Sequence, residues 1–283
     1  MTQTALPASN ADVEAVRRQA LLIREETVRL ISIAGTGHYA STFSCAEILA
    51  VLYQGVMRLK HGDPTWADRD RFLLGKGHAA VGLYPLLAGC GFFDPALLDN
   101  YARLGSPLGD HPDMTKVPGV DFSSGSLGHA LSVGVGMALG GRIARLTFSV
   151  FVLLGDGELD EGQVWEAALA AAHHRLDTLV AIIDRNQYSL DGTTEEVLAV
   201  EPIAAKWEAF GWRVLTVDGH DAAELLSVLI DARDSRDGRP TAVIARTVKG
   251  KGVAFMESEP GWHLGYLGPE DEERVLAELR ARA

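Results

Sequence analysis

Residues 148–188, FSVFVLLGDGELDEGQVWEAALAAAHHRLDTLVAIIDRNQY, hold two continuous apolar runs, Phe148 to Leu154 and Leu179 to Ile183, on either side of an Ala-rich helical stretch, Gln163 to Ala172. Runs that are apolar on both faces suit strands of a parallel sheet covered by helices, not strands with one wet face. The stretch between them has the length of a parallel crossover. The same alternation continues on both sides. Upstream lie a short strand at Arg71 to Leu74, a glycine turn, a helix beginning near His78, and a Gly- and Ala-rich helix at Leu127 to Gly140 suited to close packing. Downstream, runs at Arg213 to Val217 and Thr241 to Arg246 flank a helix at Ala222 to Arg233. The expected fold class is α/β: a doubly wound, mostly parallel sheet with helices on both faces. No repeat, low-complexity tract or linker interrupts residues 1–283, so we expect a single domain behind a short polar leader at 1–10.

Near the N-terminus, Val13, Val16, Ala20, Ile23, Thr27, Leu30 and Ile31 share one helical face, with Asn10 as an expected N-cap and Gly35 as the stop. After GTGHYAST, Ser44 and Glu47 have capping-box spacing for a helix over 44–56. Residues 104–128 are rich in Gly, Pro and Ser and lack either period, which points to a functional loop.

The composition is that of a globular protein: 47% hydrophobic residues, with 26 basic against 38 acidic side chains for a net charge of −12. No basic cluster stands out, which argues against nucleic acid and anionic membrane as partners. The chain shows neither a signal peptide nor an apolar run long enough to span a bilayer, so a cytoplasmic location is expected. Cys45 and Cys90 read as two buried, inert thiols.

In doubly wound sheets ligands sit beyond the carboxyl ends of the strands. Gly155-Asp156-Gly157 ends one apolar run, and Asp184-Arg185-Asn186-Gln187-Tyr188 ends the next. Asp156 and Asn186 should therefore emerge from adjacent strands. Gly-Asp-Gly alone is an ordinary turn. A carboxylate and a carboxamide together at neighbouring strand ends suit a magnesium ion that also holds a diphosphate. A helix beginning after Gly157 would point its N-terminus at that anion.

Gly155-Asp156-Gly157 followed by Asn186 resembles the thiamine-diphosphate signature. The whole segment from Gly155 to Gly192 is similar to transketolase. So are RDRFLLGKGHAAVGLY (69–84), GDHPD (109–113), GSLGHALSVGVGMA (125–138) and TVKGKGVAFME (247–257), in order along nearly the whole chain. The resemblance implies thiamine diphosphate with magnesium, or calcium or manganese in its place, the metal being held by Asp156, Asn186 and the carbonyl of Tyr188. It places Gly125, Ser126, Leu127, Gly155, Gly157, Glu158, Leu190 and His78 against the cofactor. His38, His78 and His111 are implied around the reacting carbon and the substrate hydroxyls, His263 near the diphosphate and substrate, and Glu161 in a carboxylate network that links two active sites. His263 stands in Trp-His-Leu-Gly where the family usually has Trp-His-Gly. His129 and Tyr39 also depart from the pattern, near the expected substrate channel. Lys249 and Lys251 either meet substrate oxygens or form a solvated strand end.

In full-length members the glutamate that activates the cofactor lies on a pyrimidine-binding domain C-terminal to this one. The resemblance therefore implies an N-terminal subunit of a split transketolase. Its partner would be a C-terminal subunit carrying the pyrimidine-binding domain, in an α2β2 assembly, and together they would move a two-carbon ketol unit from a ketose or ketose-phosphate donor to an aldose. Three other readings stand beside it: a transketolase-like chain of specialised metabolism with an unusual acceptor, the alpha subunit of a 2-oxo-acid dehydrogenase, and a non-catalytic partner-binding relative.

Overall fold

The computed structural model describes residues 10–282, so the leader and the capping side chain of Asn10 lie outside the described residues. Helix α1 (Asn10–Ala34) buries the face read from the sequence, with Ile23, Thr27, Leu30 and Ile31 fully enclosed. It ends at Gly35, whose φ of +82° is the left-handed conformation of a helix stop. The next helical stretch is broken into α2 (Tyr39–Ser44), α3 (Ala46–Val51) and a wider π-helical turn over Leu52–Val56. The expected Ser44–Glu47 capping box does not form. The Ser44 hydroxyl donates instead to buried Asp184 (2.6 Å), and Glu47 is held by both terminal nitrogens of Arg24 (2.7 Å each).

The chain continues through β1 (Arg71–Leu74), α4 (Ala80–Gly89), α5 (His129–Ala144), β2 (Val150–Gly155), α6 (Gly162–His173) and β3 (Leu179–Arg185). After these come α7 (Thr194–Val197), α8 (Ile203–Ala209), β4 (Arg213–Asp218), α9 (Ala222–Asp234), β5 (Thr241–Arg246) and α10 (Pro269–Ala281). All five strands pair in parallel in the order β1-β2-β3-β5-β4. The continuous apolar runs have the physical reason expected of them. Side chains alternate across a strand, and both faces are covered. Phe151, Leu153, Val180 and Ile182 pack into one core with α1, α3, α4 and α9, whereas Val150, Val152, Leu154, Ala181 and Ile183 pack into another with α5, α6 and α8.

Helix α5 begins two residues later than its apolar pattern suggests, because Gly128 takes a φ of +87° with Glu161 packed against its α-carbon. Residues 104–128 carry no helix or strand, as expected, yet the loop is pinned. Asp121 accepts from buried Arg69 (2.5 Å) and from the Phe72 amide (2.9 Å). Cys45 is buried, its thiol pushed up to about 12 by burial. Cys90 is half-buried, contrary to expectation. No helix among the described residues is long and apolar enough to cross a membrane.

Candidate active site

The carboxyl ends of β1, β2, β3 and β5 and the α1–α2 turn enclose a cleft of about 390 Å3. Register explains the convergence. Gly155 of β2 pairs with Asp184 of β3, so Gly-Asp-Gly and Asp-Arg-Asn leave the sheet side by side. Every residue that the family resemblance places at the cofactor, metal or substrate lines this cleft except two. Ser126 is exposed beside it, and Glu161 is exposed at the start of α6, with its side chain against Gly128.

Asp156 and Asn186 are buried, and their oxygens are partly used. Asp156 Oδ2 accepts from Arg185 (2.9 Å) and the Gln187 amide, and Oδ1 accepts from the Gly157 amide (3.0 Å). Asn186 Oδ1 accepts from the Tyr188 amide (3.1 Å). A carboxylate has about four acceptor sites and an amide oxygen two, so each keeps one lone pair for a ligand. Burial, reinforced by the charge of Asp184, pushes the Asp156 carboxyl up to about 6. Burial pushes the Glu158 carboxyl up to about 7, although it accepts from the Gly128 (2.9 Å) and Gly155 (3.2 Å) amides. Glu158 thus braces two backbone turns of the cleft. After Gly157 there is one short 3-10 turn (Gly157–Asp160), and α6 starts at Gly162, so the expected helix N-terminus directly after Gly157 is absent.

Beneath Asn186 lies a buried ion pair that the sequence reading missed. Lys76 Nζ donates to Asp184 and to the Ser41 carbonyl (2.8 Å), while Ser44, Thr247 and the Asn186 amide (3.2 Å) donate to Asp184. The signal was present, because an Asp inside an otherwise apolar strand requires a partner. Lys249 is also buried, at 1% exposure, with Nζ on the Ser189 carbonyl (2.6 Å), and burial followed by the charge of Lys76 lowers it to about 8. It is no solvated strand end. Lys251 is half-exposed and lines a different cleft.

One wall is made of histidines. The ring of His38 lies 5.0 Å from His78, 5.3 Å from His263 and 6.3 Å from His111, and His78 lies 5.1 Å from His263. Asp110, also missed, sits 3.4 Å from Nδ1 of both His38 and His111. His129 is exposed and outside the cleft lining. Tyr39 is buried against Phe43 and Trp262, so neither of these departures lines the cleft.

Burial, then the charge of Lys76, holds His78 well below the ordinary value of 6.5, and burial, then Lys249, lowers His263 to about 3. Both rings are neutral at pH 7. At these two rings the unfolded chain binds more protons than the folded one as pH falls below 6.5. The contribution of His263 to stability is therefore present above 6.5 and is lost as pH falls towards about 3, and that of His78 is lost in the same direction. Replacing both with Asn is expected to flatten the fall of Tm between pH 6.5 and about 4. An unchanged acid slope would show that the rings are protonated without strain.

The sequence model described as "Transketolase, thiamine diphosphate binding domain" matches residues 16–280. The chain is 40% identical over 264 residues to the 6-deoxy-6-sulfo-D-fructose transketolase subunit of Clostridium sp. strain MSTE9, covering 93% of this chain and 96% of that one. It is 38% identical over 270 residues to an apulose-4-phosphate transketolase subunit of Phocaeicola vulgatus, covering 95% of each. The transketolase structure from Leishmania mexicana superposes with a TM-score of 0.86 at 29% identity, over 97% of this chain and 42% of that one. The chain thus spans about two-fifths of the length of that solved transketolase.

Proposed function

The chain belongs to the transketolase family through its thiamine-diphosphate-binding domain, and on that premise we propose that it is one subunit of a split transketolase that moves a two-carbon ketol unit from a ketose to an aldose. The observation that carries this reading is the convergence, in one cleft, of Asp156 and Asn186 with the wall of His38, His78, His111 and His263. Two relatives that the chain covers almost end to end are themselves named as transketolase subunits, which supports a partner chain. A pyrimidine-binding partner in an α2β2 assembly is the arrangement we propose, with exposed Glu161 facing the neighbouring site. Residues 1–283 would serve as one domain of it.

The residues fit the cofactor and a divalent cation. A Cβ on Gly155 would meet nothing within 4 Å, so the floor is open for close backbone approach, and His263 Nδ1 is buried without a partner. Asp156, Asn186 and the Tyr188 carbonyl offer hard oxygen donors, which suit magnesium completed by phosphate oxygens. A cation there would relieve the burial of Asp156 beside Asp184. Lys249 would stand as a cation near the diphosphate. When bound, thiamine diphosphate supplies the electron sink for the carbanion of ketol transfer.

The chain's own residues would bind, orient and exclude water. Neutral His78 and His263 each offer one donor and one acceptor, as sugar hydroxyls require. His38 and His111, both beside Asp110, are placed to accept a proton from a substrate hydroxyl and return it. Both relatives are named for ketoses with an anionic group, a sulfonate or a phosphate, and a donor of that type is the reading we favour. The test is ketol transfer by the chain with its co-purified partner, comparing wild type with His111→Ala. We expect turnover to fall on the order of 10²-fold, the usual worth of a positioned acid–base group. Unchanged turnover would remove His111 from the mechanism, and pyruvate decarboxylation in place of transfer would make the chain part of a 2-oxo-acid dehydrogenase.

A further inference from the structure

A second cleft, of about 270 Å3, lies between α1, the turn at Lys251–Gly252 and the end of α10, and shares no lining residue with the first. Arg17, Leu21 and Arg24 reach it from one face of α1 at i, i+4 and i+7, and Lys251 and Arg282 come from two other segments. Four cations thus gather on one small surface of a chain whose net charge is −12.

Glu47, the carboxylate that lines this cleft, is already neutralised. Glu47 accepts from Arg24 Nη1 and Nη2 (2.7 Å each) and from His220 Nδ1 (3.0 Å). His220 Nε2 accepts from the Val248 amide (2.9 Å), which leaves the ring's proton on Nδ1. Burial alone would raise the Glu47 carboxyl, yet Arg24 and His220 hold it down at about 2.

Arg24 is 7% exposed and keeps donors unused. Its five N–H groups make two bonds to Glu47 and one to the Phe43 carbonyl (2.8 Å), and Nε is buried with no partner. An unsatisfied buried donor of this kind normally calls for a missing acceptor. Gly252, at φ +97°, lies directly against it: a Cβ there would touch Arg24 at 3.8 to 3.9 Å and crowd Leu279 at 2.9 Å, so only glycine leaves this wall of the cleft unfilled. The Lys251 ammonium has no hydrogen-bond or ion-pair partner among the described residues. Arg17 is paired with exposed Glu14, and Arg282 with Glu257 and Glu278.

We propose that this cleft binds a phosphate-type oxyanion between Arg24 and Lys251, either free phosphate or the phosphate of a small monoester, at a site separate from the cofactor cleft. The cleft is larger than one phosphate group needs, which leaves room for a substituent.

The test is calorimetric titration of the full chain with inorganic phosphate and, separately, with glycerol 3-phosphate, in buffer already saturated with thiamine diphosphate and magnesium. Saturable binding is expected, weakened about tenfold or more by Lys251→Gln, as the loss of one charge-assisted bond predicts. Arg17→Gln, at an exposed position paired with Glu14, should weaken it less. Equal affinity for the two probes would identify free phosphate as the ligand, and tighter binding of glycerol 3-phosphate would identify a phosphorylated metabolite. Absence of saturable binding, or binding unmoved by both Lys251→Gln and Lys251→Glu in variants with unchanged Tm, would overturn the site.

Discussion

Lys76→Met is expected to destabilise the chain by about 3–5 kcal/mol, the cost of leaving a buried charge without its partner. Asp184 is fully enclosed at 0% exposure, and Lys76 is the cation paired with it. Without Lys76 the carboxylate would retain hydroxyl and amide donors from Ser44, Thr247 and Asn186, which cannot balance a full charge in a dry interior. Removing the charge of Asp184 as well, in Lys76→Met with Asp184→Asn, should restore part of the loss, and the double-mutant cycle measures the coupling. Urea denaturation is the readout. A single-variant loss below about 1 kcal/mol would mean that Asp184 is protonated or hydrated in the folded chain. The pair also anchors the site. Because the Asn186 amide donates to Asp184, the variant should lose cofactor affinity even under conditions where it stays folded.

Asp156→Asn is expected to separate ligand binding from folding. The substitution keeps the shape of the side chain and an oxygen for Arg185, which also pairs with Glu195 and Glu201, so the fold should survive. What disappears is the anionic oxygen proposed to meet the metal. Changing even a residue behind a metal ligand commonly costs 10- to 100-fold in affinity, so losing a ligand should raise the Kd for thiamine diphosphate with magnesium on the order of 100-fold or more. Calorimetry on wild type and variant, each with and without magnesium, makes the comparison. If the variant bound cofactor as tightly as wild type and with the same magnesium dependence, Asp156 would not be a metal ligand.

The sequence made the sheet legible because parallel strands buried on both faces leave uninterrupted apolar runs, and β2, β3 and β5 announce themselves that way, whereas the half-exposed edge strand β4 shows only the short run Val214-Leu215 with Val217. β1 was legible because the glycine turn that follows it is so strongly marked. The elements it left unread are short or polar. α7 is a single turn under a capping box of Thr193 and Glu196, a signal visible in Thr-Thr-Glu-Glu. α10 buries little beyond Val275 and Leu279, yet opens with Pro269 and carries three acidic residues in its first turn, a helix start by composition.

Within the site, side chains fixed by strand register were readable and those fixed by tertiary pairing were not. Asp156 and Asn186 follow from where β2 and β3 end. Ser44 looked like a cap because local spacing cannot reveal that Asp184, 140 residues away, competes for its hydroxyl. Lys249 and Lys251 sit two residues apart in Lys-Gly-Lys-Gly, but the turn through Gly250, at φ +78°, sends them to different clefts. No local pattern separates them.

If this chain holds thiamine diphosphate and a divalent cation as one half of a two-chain transketolase, the assembly should be recoverable intact. Native and denaturing mass spectrometry of the chain, tagged and gently purified from its host, reads that out. We expect a companion chain at equal stoichiometry, with thiamine diphosphate and magnesium retained in the assembly and lost from Asp156→Asn. A cofactor-free homo-oligomer of wild-type chain would contradict the two-chain enzyme and bring a non-catalytic, partner-binding role to the front.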